Sequence, residues 1–245
     1  MNIEGKSVLV TGASSGIGRA TALMLARKGA ANVVIVDRNA AGLEDVGAAI
    51  RGAGANAILK AADLTQVGEV TRVFEEADDE TGGLDIVHNN AGIMSGPPEF
   101  PDMPIPNMVA VIQLNLIAMM VGTHVAVGRM RRRGAAGVIV NTSSTAAFGA
   151  MAPDPAYSTS KIGIVNFTQA CKTLKDRFNI RVMAVCPGIV DTAIVPREAA
   201  WLKPALDRIK MLQPDDIARA VCDIVADDSQ SGEYVIVQND EPVTA

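Results

Sequence analysis

SVLVTGASSGIG, residues 7–18, carries an apolar, β-branched run into a glycine-rich turn and then into residues with helical spacing. The run predicts a strand over 7–12, and the pattern behind it predicts a helix from Ile17 to Lys28 closed by Gly29. The turn reads Gly12-x-x-x-Gly16-x-Gly18, one residue longer in its first gap than the GxGxxG fingerprint of dinucleotide-binding βαβ units. The physical needs are similar: a tight turn, close backbone approach to a pyrophosphate, and close packing of helix on strand. An anion placed there meets free N–H groups and the partial positive charge of a helix N-terminus. The candidate cofactor contacts are Gly12, Ser14, Ser15, Gly16, Ile17 and Gly18. A glycine triplet alone is common in turns; its place between a strand and a helix is what gives it meaning.

Outward from this stretch, short apolar runs alternate with helical patterns almost to the end of the chain. Strands are predicted at 32–37, 56–63, within 84–92, and at 137–144, 180–188 and 233–238. Helices are predicted over Ala41–Arg51, Gln66–Thr81, 104–133, Tyr157–Phe178 and Pro214–Ala226, with a proline-rich loop at 95–106. Runs apolar on both faces belong to strands buried on both sides, as in parallel sheets, and the alternation implies right-handed crossovers. The expected fold class is α/β, a Rossmann-type doubly wound parallel sheet of about seven strands flanked by helices. With no linker or repeat in 245 residues, one domain over 1–245 is expected.

Composition narrows the function classes. Hydrophobic residues make up 49% and charged residues 20%, enough for a sizeable core, but aromatics are only 3%, so the core must rest on Ala, Val, Ile, Leu and Met. A net charge of −5 argues against nucleic-acid or anionic-membrane partners. The basic run Arg129 to Arg133 falls at a predicted helix end, where cations complement the dipole. Three widely spaced cysteines and two histidines form no metal-ligand cluster, and buried thiols in a reducing cytosol are expected. MNIEGKSVLVTG enters a strand pattern without a signal-like region, which with the cysteines gives a cytoplasmic expectation. The apolar run Met108–Val127 is broken by Gln113, Asn115, Thr123 and His124 and reads as a buried helix rather than a membrane span.

The second strand ends at Asp37, about twenty residues past the loop. A carboxylate there accepts from both adenosine ribose hydroxyls and repels a 2′-phosphate, which favours NAD over NADP. Ser15, where a basic residue would serve that phosphate, agrees; Arg38 speaks against. Asp63 and Leu64, after the third strand, would border the adenine, although Asp63 also suits a helix cap near Gln66. Asn90, Ala91 and Gly92 end the fourth strand, either where a cofactor comes close or in a simple turn. Further on, AYSTSK places Lys161 four residues after Tyr157, on one helical face. A cation that near favours phenolate and would lower the tyrosine's pKa toward working pH.

With TGASSGIG, NNAG, Asn115, Ser144, YSTSK and Pro187-Gly188 in this order, the chain resembles the short-chain dehydrogenase/reductase family, in its compact branch, from Lys6 to about Val237. The resemblance implies a catalytic set of Asn115, Ser144, Tyr157 and Lys161; Ser144 is chosen over Ser143 because it stands thirteen positions before the tyrosine. It implies that Tyr157 exchanges the proton with the substrate oxygen, that Ser144 hydrogen-bonds that oxygen, and that Lys161 also holds the nicotinamide ribose. Asn115 would order a water of a proton relay. Pro187, Gly188, Ile189 and Thr192 would line the nicotinamide site. His88 and His124 read as structural.

In this family the loop after the sixth strand, here about 193–212, is expected to choose the substrate, a small-molecule alcohol or ketone. Met94, Phe148, Met151 and Trp201, beside Ser144 and Tyr157, suggest an apolar pocket for a cyclic or medium-sized ketone. The ending QNDEPVTA departs from the family's frequent Asp-Gly-Gly, leaving dimer and tetramer both open for an expected homo-oligomer, tetramer slightly ahead. An epimerase or dehydratase could share the glycine loop, but the chain is short for one. A non-catalytic NAD(H) sensor would need no tyrosine acid.

Overall fold

Consecutive apolar residues in the strands part to opposite sides of one sheet. Val8, Val10, Val33 and Ile35 join one buried cluster, whereas Leu9, Val34 and Val36 join another. This is the period-two geometry of strands covered on both faces. The computed structural model describes residues 1–239. Its strands are β1 (Ser7–Thr11), β2 (Asn32–Asp37), β3 (Asn56–Ala61), β4 (Ile86–Asn89), β5 (Gly137–Thr142), β6 (Ile180–Pro187) and β7 (Tyr234–Val237). All pair in parallel, in the order β3-β2-β1-β4-β5-β6-β7. β1, β4, β5 and β6 are buried along their whole length, and exposure is confined mainly to the edge strands β3 and β7.

One face is covered by α1 (Gly16–Arg27), α2 (Ala40–Gly52) and α9 (Pro214–Ala226), which contribute Leu25, Leu43, Ile50, Ile217 and Val221. The other is covered by α3 (Val67–Thr81) and α5 (Ala118–Arg133), with Val73, Phe74, Ala126 and Met130. The strand order reverses between β1 and β4, and there the crossovers part to opposite faces and leave a crevice at the strands' carboxyl ends. The predicted sheet and its crossovers are therefore present; most element limits differ by one or two residues.

Two helices differ more. The 104–133 helix is α4 (Ile105–Ile112), a π-helical turn over Gln113–Ile117, and then α5. The extra residue in that turn carries Asn115, a frequent arrangement at functional sites. The run is also less buried than expected. Residues 105–133 are long and apolar enough to cross a membrane by length and composition, yet only 33% of the most apolar window is buried. Ile105 is 71% exposed and Val109 50%. The helix predicted over 157–178 divides into α6 (Pro155–Ala170) and α7 (Leu174–Phe178), because hydrogen bonds tighten to three-residue spacing around Cys171.

The basic run does more than complement a dipole. Arg129 and Arg133 both pair with the buried carboxylate of Asp78, and Arg133 also donates to the Leu84 carbonyl. The Leu84 N–H, which donates to Asp78 at 2.8 Å, and the two arginines hold Asp78 below the usual carboxylate range against the opposing effect of its burial. Cys186 and Cys222 are buried, as expected, while Cys171 is only partly so. Residues 240–245, part of the QNDEPVTA ending, lie outside the described residues.

Candidate active site

Three positions of the glycine loop have no room for a side chain. Gly12 has a positive φ of 64°, and a Cβ there would stand 2.9 Å from Ala91 Cα. A Cβ on Gly18 would run into the Gly12 carbonyl. Gly16, at φ 53°, faces Thr192, whose Cγ2 lies 3.0 Å from where its Cβ would be. The loop is thus closed on one side by the Asn90-Ala91 turn and on the other by the segment after β6. α1 starts at Gly16 with Ser15 as its cap residue, and the Ser15 side chain does not satisfy the first-turn N–H groups.

The carboxylate of Asp37 is held at the rim of this loop. Its oxygens accept from the backbone N–H of Ser14 at 3.1 Å and of Asn39 at 3.0 Å. Arg38 beside it is exposed. Asp63 does not cap the helix as its alternative reading had it, because α3 begins later, at Val67; its carboxylate accepts instead from the N–H and hydroxyl of Thr65. Leu64 is buried in the core beneath. Asn90 is fastened to β1: its N–H donates to the Thr11 hydroxyl at 2.9 Å and its amide to the Thr11 carbonyl at 3.1 Å. A cradle of glycines that any Cβ would fill, an uncapped helix start and a fixed carboxylate at the end of β2 fit a dinucleotide.

Across the crevice the structure brings the four expected catalytic candidates into one cluster. Lys161 is 3% exposed; its ammonium donates to the Thr142 carbonyl at 3.0 Å and lies 5.4 Å from the centroid of the Tyr157 ring. Ser144 lies beside the Tyr157 phenol and opposes the rise of its pKa; its hydroxyl accepts from Ala146 N–H at 3.1 Å and donates to the Pro187 carbonyl at 3.4 Å. Ser143 points elsewhere, donating to the Lys161 carbonyl at 2.7 Å and so bracing α6. Asn115, 1% exposed, accepts from Ile93 N–H at 2.8 Å and donates to the Ile93 carbonyl at 2.9 Å and to Ser160. Gly92 sits between the two halves: a Cβ on it would be 3.2 Å from Asn115 Oδ1 and 3.5 Å from Lys161 Nζ.

The electrostatics depart from the expectation of a lowered tyrosine. Burial pushes the Tyr157 phenol up to about 12, the Ser144 side chain opposes this, and the charge of Asp154 adds to it. Burial also brings Lys161 down to about 8, against a small opposing effect of Cys186. The physical reason is that both groups lose water together. In the chain alone, burial therefore outweighs what lowers the phenol.

Asp154 carries no signal of catalysis and was missed, although Asp154-Pro155 is a legible helix start. It caps α6 by accepting from Tyr157 N–H at 3.0 Å, and it takes both the N–H and the hydroxyl of Ser95, at 2.8 and 2.9 Å. The helix bearing Tyr157 and Lys161 is thereby tied to the loop after Met94. Of the expected pocket walls, Met94, Met151 and Trp201 are partly buried, whereas the Phe148 ring lies on Tyr234 of edge strand β7, 5.1 Å between centroids, and is 47% exposed. His88 is fully buried and bonded to the Thr142 hydroxyl at 2.8 Å, and His124 is exposed on α5. No group of three or more metal-ligating side chains occurs among the described residues.

Residues 6–203 match the family model described as short chain dehydrogenase. The chain is 34% identical over 224 residues to a cis-4-hydroxycyclohexanecarboxylate dehydrogenase of Sinomonas cyclohexanicum, covering 89% of this chain and 88% of that one. It is 31% identical over 250 residues to a 15-hydroxyprostaglandin dehydrogenase [NAD(+)] of Bos taurus, covering 95% and 90%. Among solved structures, a short chain dehydrogenase from Burkholderia cenocepacia in complex with NADP superposes with a TM-score of 0.88 at 29% identity, over 97% of this chain and 98% of that one.

Proposed function

The chain belongs to the short-chain dehydrogenase family, and we propose from that premise that it is an NAD-dependent oxidoreductase interconverting a secondary alcohol and a ketone. The observation that carries the reading is the convergence of Lys161 and Ser144 on one phenol, Tyr157. A cofactor-binding sensor has no use for such a cluster.

Gly12, Gly16 and Gly18 with the start of α1 would hold the pyrophosphate, and Asp37 the adenosine ribose. Asn90 to Gly92, Pro187 to Ile189 and Thr192 would line the nicotinamide end. When bound, the nicotinamide supplies the hydride donor or acceptor. Tyr157 gives its proton to the substrate oxygen in reduction and takes it back in oxidation. Ser144 donates a hydrogen bond to the same oxygen as charge develops there. Lys161 keeps a positive charge beside the ring, favouring the phenolate. The Asn115 amide protons are used on Ile93 and Ser160, but Oδ1 has a second lone pair for the water of a proton relay.

NAD is favoured over NADP because a carboxylate at the end of β2, held at the rim of the glycine loop, would repel a 2′-phosphate, and a relative carries NAD(+) in its name. An apolar, cyclic or medium-sized substrate agrees with Met94, Met151 and Trp201 and with a relative named for a hydroxylated cyclohexane ring. The exposed apolar side of α4, with the groove it forms against α6 between Met108, Val109, Ile112, Pro155 and Ala156, would be covered by a second copy of the chain in a homodimer or homotetramer. A cytoplasmic setting suits the three free thiols. Nicotinamide absorbance with cyclic and aryl ketones, their alcohols, a sugar and a hydroxy acid, each with NAD(H) and NADP(H), tests the reading; turnover restricted to sugars or to NADP(H) would reject it.

A further inference from the structure

The segment from Val190 to Leu212 leaves the sheet after β6 and returns to the same place. Asp191 N–H donates to the Leu212 carbonyl at 2.8 Å, and Leu212 N–H to the Ile189 carbonyl at 2.9 Å, closing a neck. Between these ends most of the segment is exposed, and its one helix, α8 (Lys203–Leu206), is a single turn. Such a lobe keeps its position only as well as its neck is held.

One side chain from a distant part of the sequence spans that neck. Asn239, two residues beyond β7, accepts from Ile189 N–H at 2.8 Å and donates to the carbonyls of Ile189 at 2.8 Å and of Lys210 at 3.0 Å. One N–H and two carbonyls can be satisfied together only by an amide in this orientation. Room for it comes from Gly188, where a Cβ would run into Asn239 Oδ1, and Gly188 N–H itself donates to the Val237 carbonyl at 2.8 Å.

We propose that Asn239 is a positioning residue that fastens both ends of the 190–212 lobe, and the Gly188-Ile189 turn, to the end of the sheet. Resting on the dehydrogenase reading, this makes Asn239 act on substrate recognition through the lobe and leaves the proton transfer at Tyr157 untouched. Asparagine is needed rather than aspartate, because a carboxylate would face the Ile189 and Lys210 carbonyls without a proton to give.

The test compares wild type with Asn239→Ala and the size-conserving Asn239→Asp. Hydrogen exchange in the free protein is expected to quicken about tenfold or more at Asp191 and Leu212 in both variants, with the amides of β1, β4 and β5 unchanged. The substrate KM is expected to rise about tenfold while kcat stays within about threefold. Unchanged exchange at the neck, exchange quickened uniformly through the sheet, or a fall in kcat at constant KM would overturn the proposal. The exchange measurement needs no substrate, so failure of the dehydrogenase reading would show separately, as a wild type without turnover.

Discussion

Lys161 directs its ammonium to the Thr142 carbonyl at 3.0 Å and, in the same pose, stands 5.4 Å from the centre of the Tyr157 ring. The lysine is thus fixed by the sheet and not by the tyrosine. Its placement depends on β5 and on Ser143, which holds the Lys161 carbonyl from the other side at 2.7 Å. A positive charge carried this way into a buried place serves any phenol presented next to it, although burial holds that phenol high.

Cofactor choice rests on Asp37. Replacing it by Ala removes both the negative charge and the acceptor for Ser14 N–H. The preference for NAD(H) over NADP(H), read as a ratio of kcat/KM, is expected to fall about a hundredfold, with Arg38 then the nearest charge to a 2′-phosphate. An unchanged ratio would move the choice elsewhere in the loop.

Asp154 sets the stability of the catalytic helix. Asp154→Ala deprives Tyr157 N–H, Ser95 N–H and the Ser95 hydroxyl of their acceptor in a buried place. A loss of about 2–4 kcal/mol in urea unfolding is expected, and a smaller one for Asp154→Asn, which keeps a single acceptor oxygen. Equal effects of the two would mean that charge, not hydrogen bonding, sets the contribution.

Acid sensitivity is expected from His88. Burial lowers it from 6.5 to about 3, so between those values the unfolded chain binds the extra proton. The stability this represents is complete above pH 6.5 and is lost as pH falls toward 3, with a slope of at most about 1.4 kcal/mol per pH unit. Urea midpoints between pH 7 and 4.5 should fall in wild type and flatten in His88→Gln; parallel slopes would acquit His88.

Much of this was legible because it depends on local chemistry. Strand and helix periods gave the sheet, and the placement of Gly12, Gly16 and Gly18 gave the crevice. The Tyr157–Lys161 pair was visible as two residues on one helical face, but Asn115 and Ser144 entered only through the family resemblance. What stayed hidden depends on contacts distant in sequence. The π turn at Asn115 has no residue signature, and Phe148 was claimed by Tyr234, eighty-six residues later. Asn239 meets Ile189 only because β7 pairs with β6. The direction of the Tyr157 shift was missed for a similar reason: a lysine one turn away is visible in sequence, whereas loss of water is a property of the folded surroundings.

The central claim, that Tyr157 is the proton-transferring group, is tested most directly by nicotinamide absorbance during turnover of wild type and Tyr157→Phe. A cyclic secondary alcohol would serve as substrate with NAD⁺, and NADH binding would be measured beside it by fluorescence. Turnover lowered about a thousandfold, with NADH affinity within about threefold of wild type, is the expected result. A phenylalanine variant that turns over within about tenfold of wild type would contradict the account.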